Sequence, residues 1–226
     1  MLNENTPHDR LISAAFKLAE IRGWRSLSLI EIATEADIPL IEAHREFQSK
    51  AQILAAFSRA VDKAILEKFP KLSGAEAGRD RLFDVIMTRF EILQPYKAAL
   101  RNIVKAVGME MGAMLSQVRP ALKSQYWMLA AAGFSGEGSV GLLRIKGLLA
   151  IYTKVFSIWL QDQDPGLART MAALDKELRR GENAMRRLEG FRHGVERILC
   201  AIKGNPSEEK PIAPDTPPSA DAPTSA

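Results

Sequence analysis

Apolar residues recur at three- and four-residue steps through nearly the whole chain, and the period-two alternation of a half-buried strand is absent. That spacing lines one face of an α-helix with apolar side chains, so the expected fold class is all-α, with about nine helices. The punctuation agrees. Leu11, Ala14, Ala15, Leu18 and Ala19 form a stripe closed by Gly23, a residue suited to the left-handed end of a helix. Ser28-Leu29-Ile30-Glu31 is a capping box that opens a short helix over roughly 29–36, ending at Asp37. Pro39 suits the first turn of the next helix, which ends near Phe47 because Ser49-Lys50-Ala51-Gln52 is a second capping box. A longer helix then runs to about Lys68, before Pro70.

Ser73-Gly74-Ala75-Glu76 opens the next helix, whose stripe of Leu82, Val85, Ile86, Arg89, Phe90 and Leu93 runs up to Pro95. Further helices are expected over 96–107, 110–132, 140–161 and 165–200. The last is opened by Asp164 and Pro165, with Gly190 and Gly194 as candidate break points. From Gly204 the sequence holds six of the chain's twelve prolines and no aromatic residue. So little apolar surface does not offset the entropy of ordering, and a disordered tail is expected there. The expected organisation is a three-helix head over 1–68, a helical-bundle body over 69–203 and the tail over 204–226.

Charge is unevenly placed along these segments. The formal net charge of +4 divides into −2 for residues 1–50, +5 for 51–164, +4 for 165–203 and −3 for the tail. The basic excess therefore lies outside the head. There is one cysteine, Cys200, no basic-then-apolar leader at MLNENTPHDR and no apolar run long enough for a membrane span, which together point to the cytoplasm. His8, His44 and His193 are scattered, and no phosphate loop, nucleophile motif or metal-ligand spacing occurs. No catalytic role, metal or cofactor is expected.

Two short helices across a tight turn place the second on the surface, where its outer face can enter a DNA major groove. Leu29, Ile32, Ala33, Ile38, Ala43 and Phe47 can hold such a unit against the first helix. Glu42 can accept from cytosine N4 in the groove, or remain with Glu46 a solvated surface charge. His44 is open to three readings: a backbone contact, a polar residue at the core edge, or a metal ligand without a neighbour. Arg45 is the candidate for reading a base. Ser28 and Lys50 sit at helix starts, where backbone amides also attract phosphate.

Arg22-Gly23-Trp24, Ser28, Glu31-Ile32-Ala33, Ala36, Phe47 and Ser49-Lys50 stand in register over residues 8–66. In this set the chain resembles the tetracycline-repressor (TetR) family of transcriptional regulators. The resemblance implies a helix-turn-helix that binds double-stranded operator DNA through Ser28, Pro39, Glu42, His44, Arg45 and Lys50. It also implies a homodimer whose body holds an apolar small-molecule effector. The second short helix departs from the family pattern: Asp37 replaces Gly, Pro39 replaces Ser or Thr, Leu40 replaces Lys or Arg, Ile41 replaces Gly, Glu42 replaces Thr and His44 replaces Tyr.

In the body, Met109, Met114, Trp127, Met128, Tyr152 and Phe156 are the candidate pocket wall, since Met and aromatic side chains adapt to apolar ligands. The stripe Leu142, Ile145, Leu149, Tyr152, Phe156 and Trp159 reads equally as core or subunit interface. A second resemblance covers about residues 80–180. Arg89 to Tyr96, Trp159-Leu160, Asp164-Pro165 and Leu167 to Asp175 are similar to a ubiquinone-biosynthesis accessory family, which keeps the TetR fold but binds lipid. It implies the alternative of a lipid- or isoprenoid-binding protein whose head no longer binds DNA, with peripheral membrane contact. The terminal arginines Arg179, Arg180, Arg186, Arg187, Arg192 and Arg197 could approach anionic lipid or another protein, or form a solvated face balanced by Asp175, Glu177, Glu182, Glu189 and Glu196.

Overall fold

The first helix, α1 (Pro7–Arg22), forms where its sequence supplies both ends: Thr6 accepts from the Asp9 amide, and Gly23 closes the helix at φ +79°. It belongs to a computed structural model that describes Leu2 and residues 5–70, 78–109 and 111–203, with backbone alone for Met111, Ala113 and 188–203. Eight further α-helices follow among the described residues. They are α2 (Leu29–Glu35), α3 (Leu40–Glu46), α4 (Lys50–Lys68), α5 (Gly78–Leu93), α6 (Lys97–Gly108), α7 (Met111–Ala131), α8 (Gly138–Gln161) and α9 (Ala168–Lys203), with a 3-10 turn at Gln94–Tyr96. The all-helical expectation holds, and no strand occurs among the described residues. The predicted opening at Ser73 and the predicted tail lie outside them. Residues 1–184 form one compact unit, and a second begins at Met185.

Several local expectations shift by one to three residues. Pro39 is the cap of α3 (ψ 140°) and Leu40 its first helical residue. Ser49 accepts from the Gln52 amide at 3.3 Å, but the Gln52 side chain accepts from Gln48 N at 2.7 Å, so the second capping box closes one residue early. α9 starts at Ala168 rather than 165, and it continues through Gly190 and Gly194. Its start is held by two carboxylates. Asp164 accepts from the amides of Gly166 and Ala168, and Asp162 accepts from the amide and hydroxyl of Thr170 at 3.0 and 2.7 Å. These bonds and the burial of its own side chain hold Leu167 at φ +52°, a conformation an aliphatic residue rarely adopts.

Burial pushes the Asp162 carboxyl up. The Thr170 hydroxyl, the Thr170 and Asp164 amides and the Lys97 charge more than offset that, and hold it below its ordinary value. A depressed carboxylate contributes stability that is complete above its unfolded value, about 3.9, and is lost as pH falls through the lower folded one. The midpoint of thermal unfolding should therefore fall on acidification below about pH 4. In an Asp162→Asn variant part of that dependence should be missing, by calorimetry across a pH series.

The core of the first unit runs without interruption from α1 to the start of α9. α4 lies along α7, and α1 packs on α6 as well as on α2, α3 and α4. Phe16 of α1, Phe57 of α4 and Tyr96 of the 3-10 turn meet with centroids 4.0 to 5.6 Å apart, which ties the helices after and before the two short ones to the same core. Asn102 of α6 donates to the Ala19 and Glu20 carbonyls at the end of α1.

A charged network crosses the bundle. Asp62 of α4 meets Arg89 of α5 at 2.5 Å, and accepts at 2.5 Å from Ser124 of α7. Arg89 Nε donates to the Tyr152 hydroxyl of α8 at 3.1 Å, and Nη2 reaches Ser58 at 3.5 Å. Four helices are thus joined by buried polar groups that bond to one another.

Candidate functional site

The capping box that opens α2 is complete: Glu31 N donates to Ser28 Oγ at 3.2 Å, and the Glu31 carboxylate accepts from Ser28 N at 2.8 Å. The Ser28 amide first, then its hydroxyl and Arg22, hold the Glu31 carboxyl below the usual range. α2 ends at Ala36, and Asp37 makes the turn at φ +52°. Asp tolerates this left-handed conformation better than most residues, so it serves where glycine would be the default. Arg10 braces the turn from α1, donating to the carbonyls of Ala36 (2.5 Å) and Asp37 (3.2 Å).

α3 leaves that turn with Ala43 and Phe47 facing the core. At 100° per residue from Ala43, the opposite side carries Ile41 and Arg45, with Glu42 and His44 on the flanks. Exposure agrees: Ile41 is 64% exposed and Leu40 53%, while His44, Arg45 and Glu46 are exposed and Glu42 is half-buried. A crevice of about 170 Å³ runs beneath α3, bounded by Leu11, Ile32, Leu40, His44, Phe47 and Ile53. His44 therefore stands at the edge of apolar packing with its ring toward solvent.

Helix α1 packed against two short helices, α2 and α3, and followed by a long helical body, also occurs in solved proteins. A TetR transcriptional regulator from Nitrosomonas europaea ATCC 19718 superimposes with TM-score 0.63 and 20% identity over 77% of this chain and 97% of its own. One from Rhodococcus sp. RHA1 gives 0.58 and 17% over 77% and 94%. One from Streptomyces coelicolor gives 0.51 and 16% over 86% and 99%. The chain has the TetR fold. No protein-family model matches the chain, and no curated protein matches it by sequence.

Within the TetR fold, the six residues expected at DNA do not stand alike. Ser28 has its hydroxyl engaged by Glu31 on both its donor and acceptor sides. Lys50 donates to the carbonyls of Trp24 (3.0 Å) and Arg25 (3.3 Å) and lies 5.5 Å from the Trp24 ring centre. Pro39, Glu42, His44 and Arg45 share the neighbourhood of α3 and make no side-chain hydrogen bond or ion pair among the described residues. Other cations of this TetR-fold head are also engaged: Lys17 with Glu35 at 2.5 Å and Arg22 with Glu31 at 2.7 Å. Arg45 is thus the cation that α3 presents outward. Sequence reasoning missed Ile41, although a helical projection anchored on Ala43 and Phe47 places it outermost.

The six candidate pocket residues are not brought onto one wall. Tyr152 and Phe156 stack with each other and with Phe90, and Phe90 and Phe156 stack on Trp159, with centroids 5.4 to 6.4 Å apart. Met128 is buried in the core, whereas Trp127, one residue and 100° away, is exposed. Met109 lies in the α6–α7 connection and Met114 in the first turns of α7, both exposed. Of the stripe on α8, Ile145 and Trp159 are buried, Leu149, Tyr152 and Phe156 are half-buried and Leu142 is exposed, while the buried side of the helix also takes in Leu148 and Val155. Among the described residues no helix is long and apolar enough to cross a membrane.

Proposed function

We propose that the protein is a homodimeric transcriptional regulator that binds operator DNA through α2 and α3 and is controlled by an apolar effector in the body. The observation that carries this reading is the outward face of α3, with Arg45 uncommitted on a helix-turn-helix of TetR fold. Residues 1–68 are the DNA-binding head, 69–203 the effector and dimerisation body, and 204–226 the tail that follows them. Ser28, Pro39, Glu42, His44, Arg45 and Lys50 form the DNA surface, and the protein works in the cytoplasm. Exposed Trp127, Leu142, Leu143 and Met171 supply apolar area for a second subunit. The effector would meet the inner surface near Met128, Tyr152 and Phe156 by opening that packing, while Met109, Met114 and Trp127 would join it only after rearrangement.

Selection of bound fragments from the source genome, at low and at physiological salt, tests the reading. An enriched palindrome is expected, with half-site centres one helical turn apart or a multiple, about 34 Å. Arg45→Ala should weaken binding to it by about 5- to 150-fold per half-site, the worth of one base-reading pair. With few uncommitted cations, the slope of log affinity against log salt should be shallow, about −4 for two heads, and Lys50→Ala should reduce it. No enriched sequence, or binding indifferent to both changes, rejects the proposal.

A second reading, a lipid- or isoprenoid-binding accessory protein with a head that no longer binds DNA, is favoured by the α6–α7 region. Val104, Met109, Met114, Leu115 and Val118 are exposed there beside Lys105, Arg119 and Lys123. That pairing of apolar and basic side chains suits peripheral contact with an anionic membrane. Cosedimentation with phosphatidylserine vesicles, lost in a Met114→Glu/Leu115→Glu variant and accompanied by no enriched DNA, would replace the first reading with this one.

A further inference from the structure

Ile41 is a large aliphatic side chain held out into solvent by a helix whose other face is fixed. Ala43 and Phe47 are buried where α3 packs on α1 and α2, the Asp37 turn sets its start, and Arg10 braces that turn. The rotation of α3 is therefore determined, and with it the outermost positions, Ile41 and Arg45. The two are four residues apart on one face, about 6 Å along the axis. An isoleucine has no hydrogen-bonding group and gains nothing from a phosphate. In a major groove its complement is the one apolar group there, the 5-methyl of thymine.

Given a head that binds DNA, as proposed above, we infer that Ile41 is a specificity-determining residue that packs against a thymine 5-methyl group. Arg45, one turn later on the same face, takes the guanine O6/N7 edge. With a rise of 3.4 Å per base pair, the two contacts fall about two base pairs apart. The half-site is then marked by a thymine and a guanine at that spacing. Leu40 differs from Ile41 although both are exposed. It projects to the side of α3 that borders the crevice with Ile32 and Ile53, turned away from the face that carries Ile41 and Arg45.

The test uses the full chain and the duplex selected from the genome. Each thymine is replaced in turn by uracil, which removes the methyl and keeps every hydrogen-bonding group. Wild-type binding should weaken about fourfold at one thymine per half-site, the worth of one buried methyl group. Ile41→Ala loses the contact in both half-sites, so it should bind the thymine duplex about as the wild type binds a duplex carrying uracil at that position in both, and should itself be indifferent to the exchange. Leu40→Ala should keep the full uracil effect. Ile41 lies outside the core, and an unchanged thermal midpoint in its variant separates lost contact from lost fold. Wild-type binding indifferent to every exchange overturns the inference while leaving the DNA-binding reading intact. So does a uracil effect that persists in Ile41→Ala or disappears in Leu40→Ala. Failure to select any duplex overturns both.

Discussion

Asp62→Ala should lower the unfolding free energy by about 3–5 kcal/mol, because it leaves the buried Arg89 guanidinium without its carboxylate. For a compact unit of this size that corresponds to a fall of about 6–20 °C in the thermal midpoint. The loss comes less from the attraction itself than from the uncompensated charge. Tyr152 and Ser58 can only hydrogen-bond the guanidinium; they cannot neutralise it. The double variant Asp62→Leu/Arg89→Met removes both charges and keeps apolar volume, so it should recover most of the stability. Calorimetry on the three proteins checks this. If the double variant is as unstable as the single one, the cost lies in packing and not in an orphaned charge. The network also joins α4, the helix that follows the helix-turn-helix, to α5, α7 and α8. In the proposed regulator, its loss should uncouple effector binding from DNA affinity even where the fold survives.

Trp159→Ala should cost a similar amount, about 3–5 kcal/mol. Trp159 is 0% exposed, stacks on Phe90 and Phe156 at 5.4 Å, and has the Lys97 ammonium 5.0 Å from its ring centre. Lys97 also donates to the Asp162 carbonyl, so the aromatic stack and the anchor of α9 share a side chain. Among the described residues the indole N–H has no hydrogen-bond partner although it is buried. Trp159→Phe should therefore cost much less than Trp159→Ala, because it keeps most of the ring contact and removes an unpaired donor. Denaturant unfolding followed by circular dichroism measures both. Equal losses for Phe and Ala would mean that the indole N–H is worth more than the stack.

The head was legible because its signals are local. A capping box needs only residues three apart, and Ser28 with Glu31 forms it as expected. Gly23 ends α1 and Phe47 ends α3 for the same reason: φ preference and short-range hydrogen bonding act within one turn. Arg89 could be placed on the buried stripe of α5 from spacing alone. That it meets Asp62, 27 residues earlier, and Tyr152, 63 residues later, could not, because helical periodicity gives a facing direction and no partner.

By itself, then, the sequence determined an all-helical chain and a helix-turn-helix with unusual residues at Asp37, Leu40, Ile41 and Glu42. Periodicity and capping are properties of adjacent turns. Only the tertiary structure decided which cations of the head stay uncommitted. Arg10, Lys17, Arg22 and Lys50 are drawn to carbonyls and carboxylates brought near by folding, three of them 18 to 26 residues away, and Arg45 is left facing outward. It likewise decided that Tyr152 and Phe156 belong to a packed aromatic stack while Met109, Met114 and Trp127 face solvent, since burial depends on what the rest of the chain places opposite a side chain.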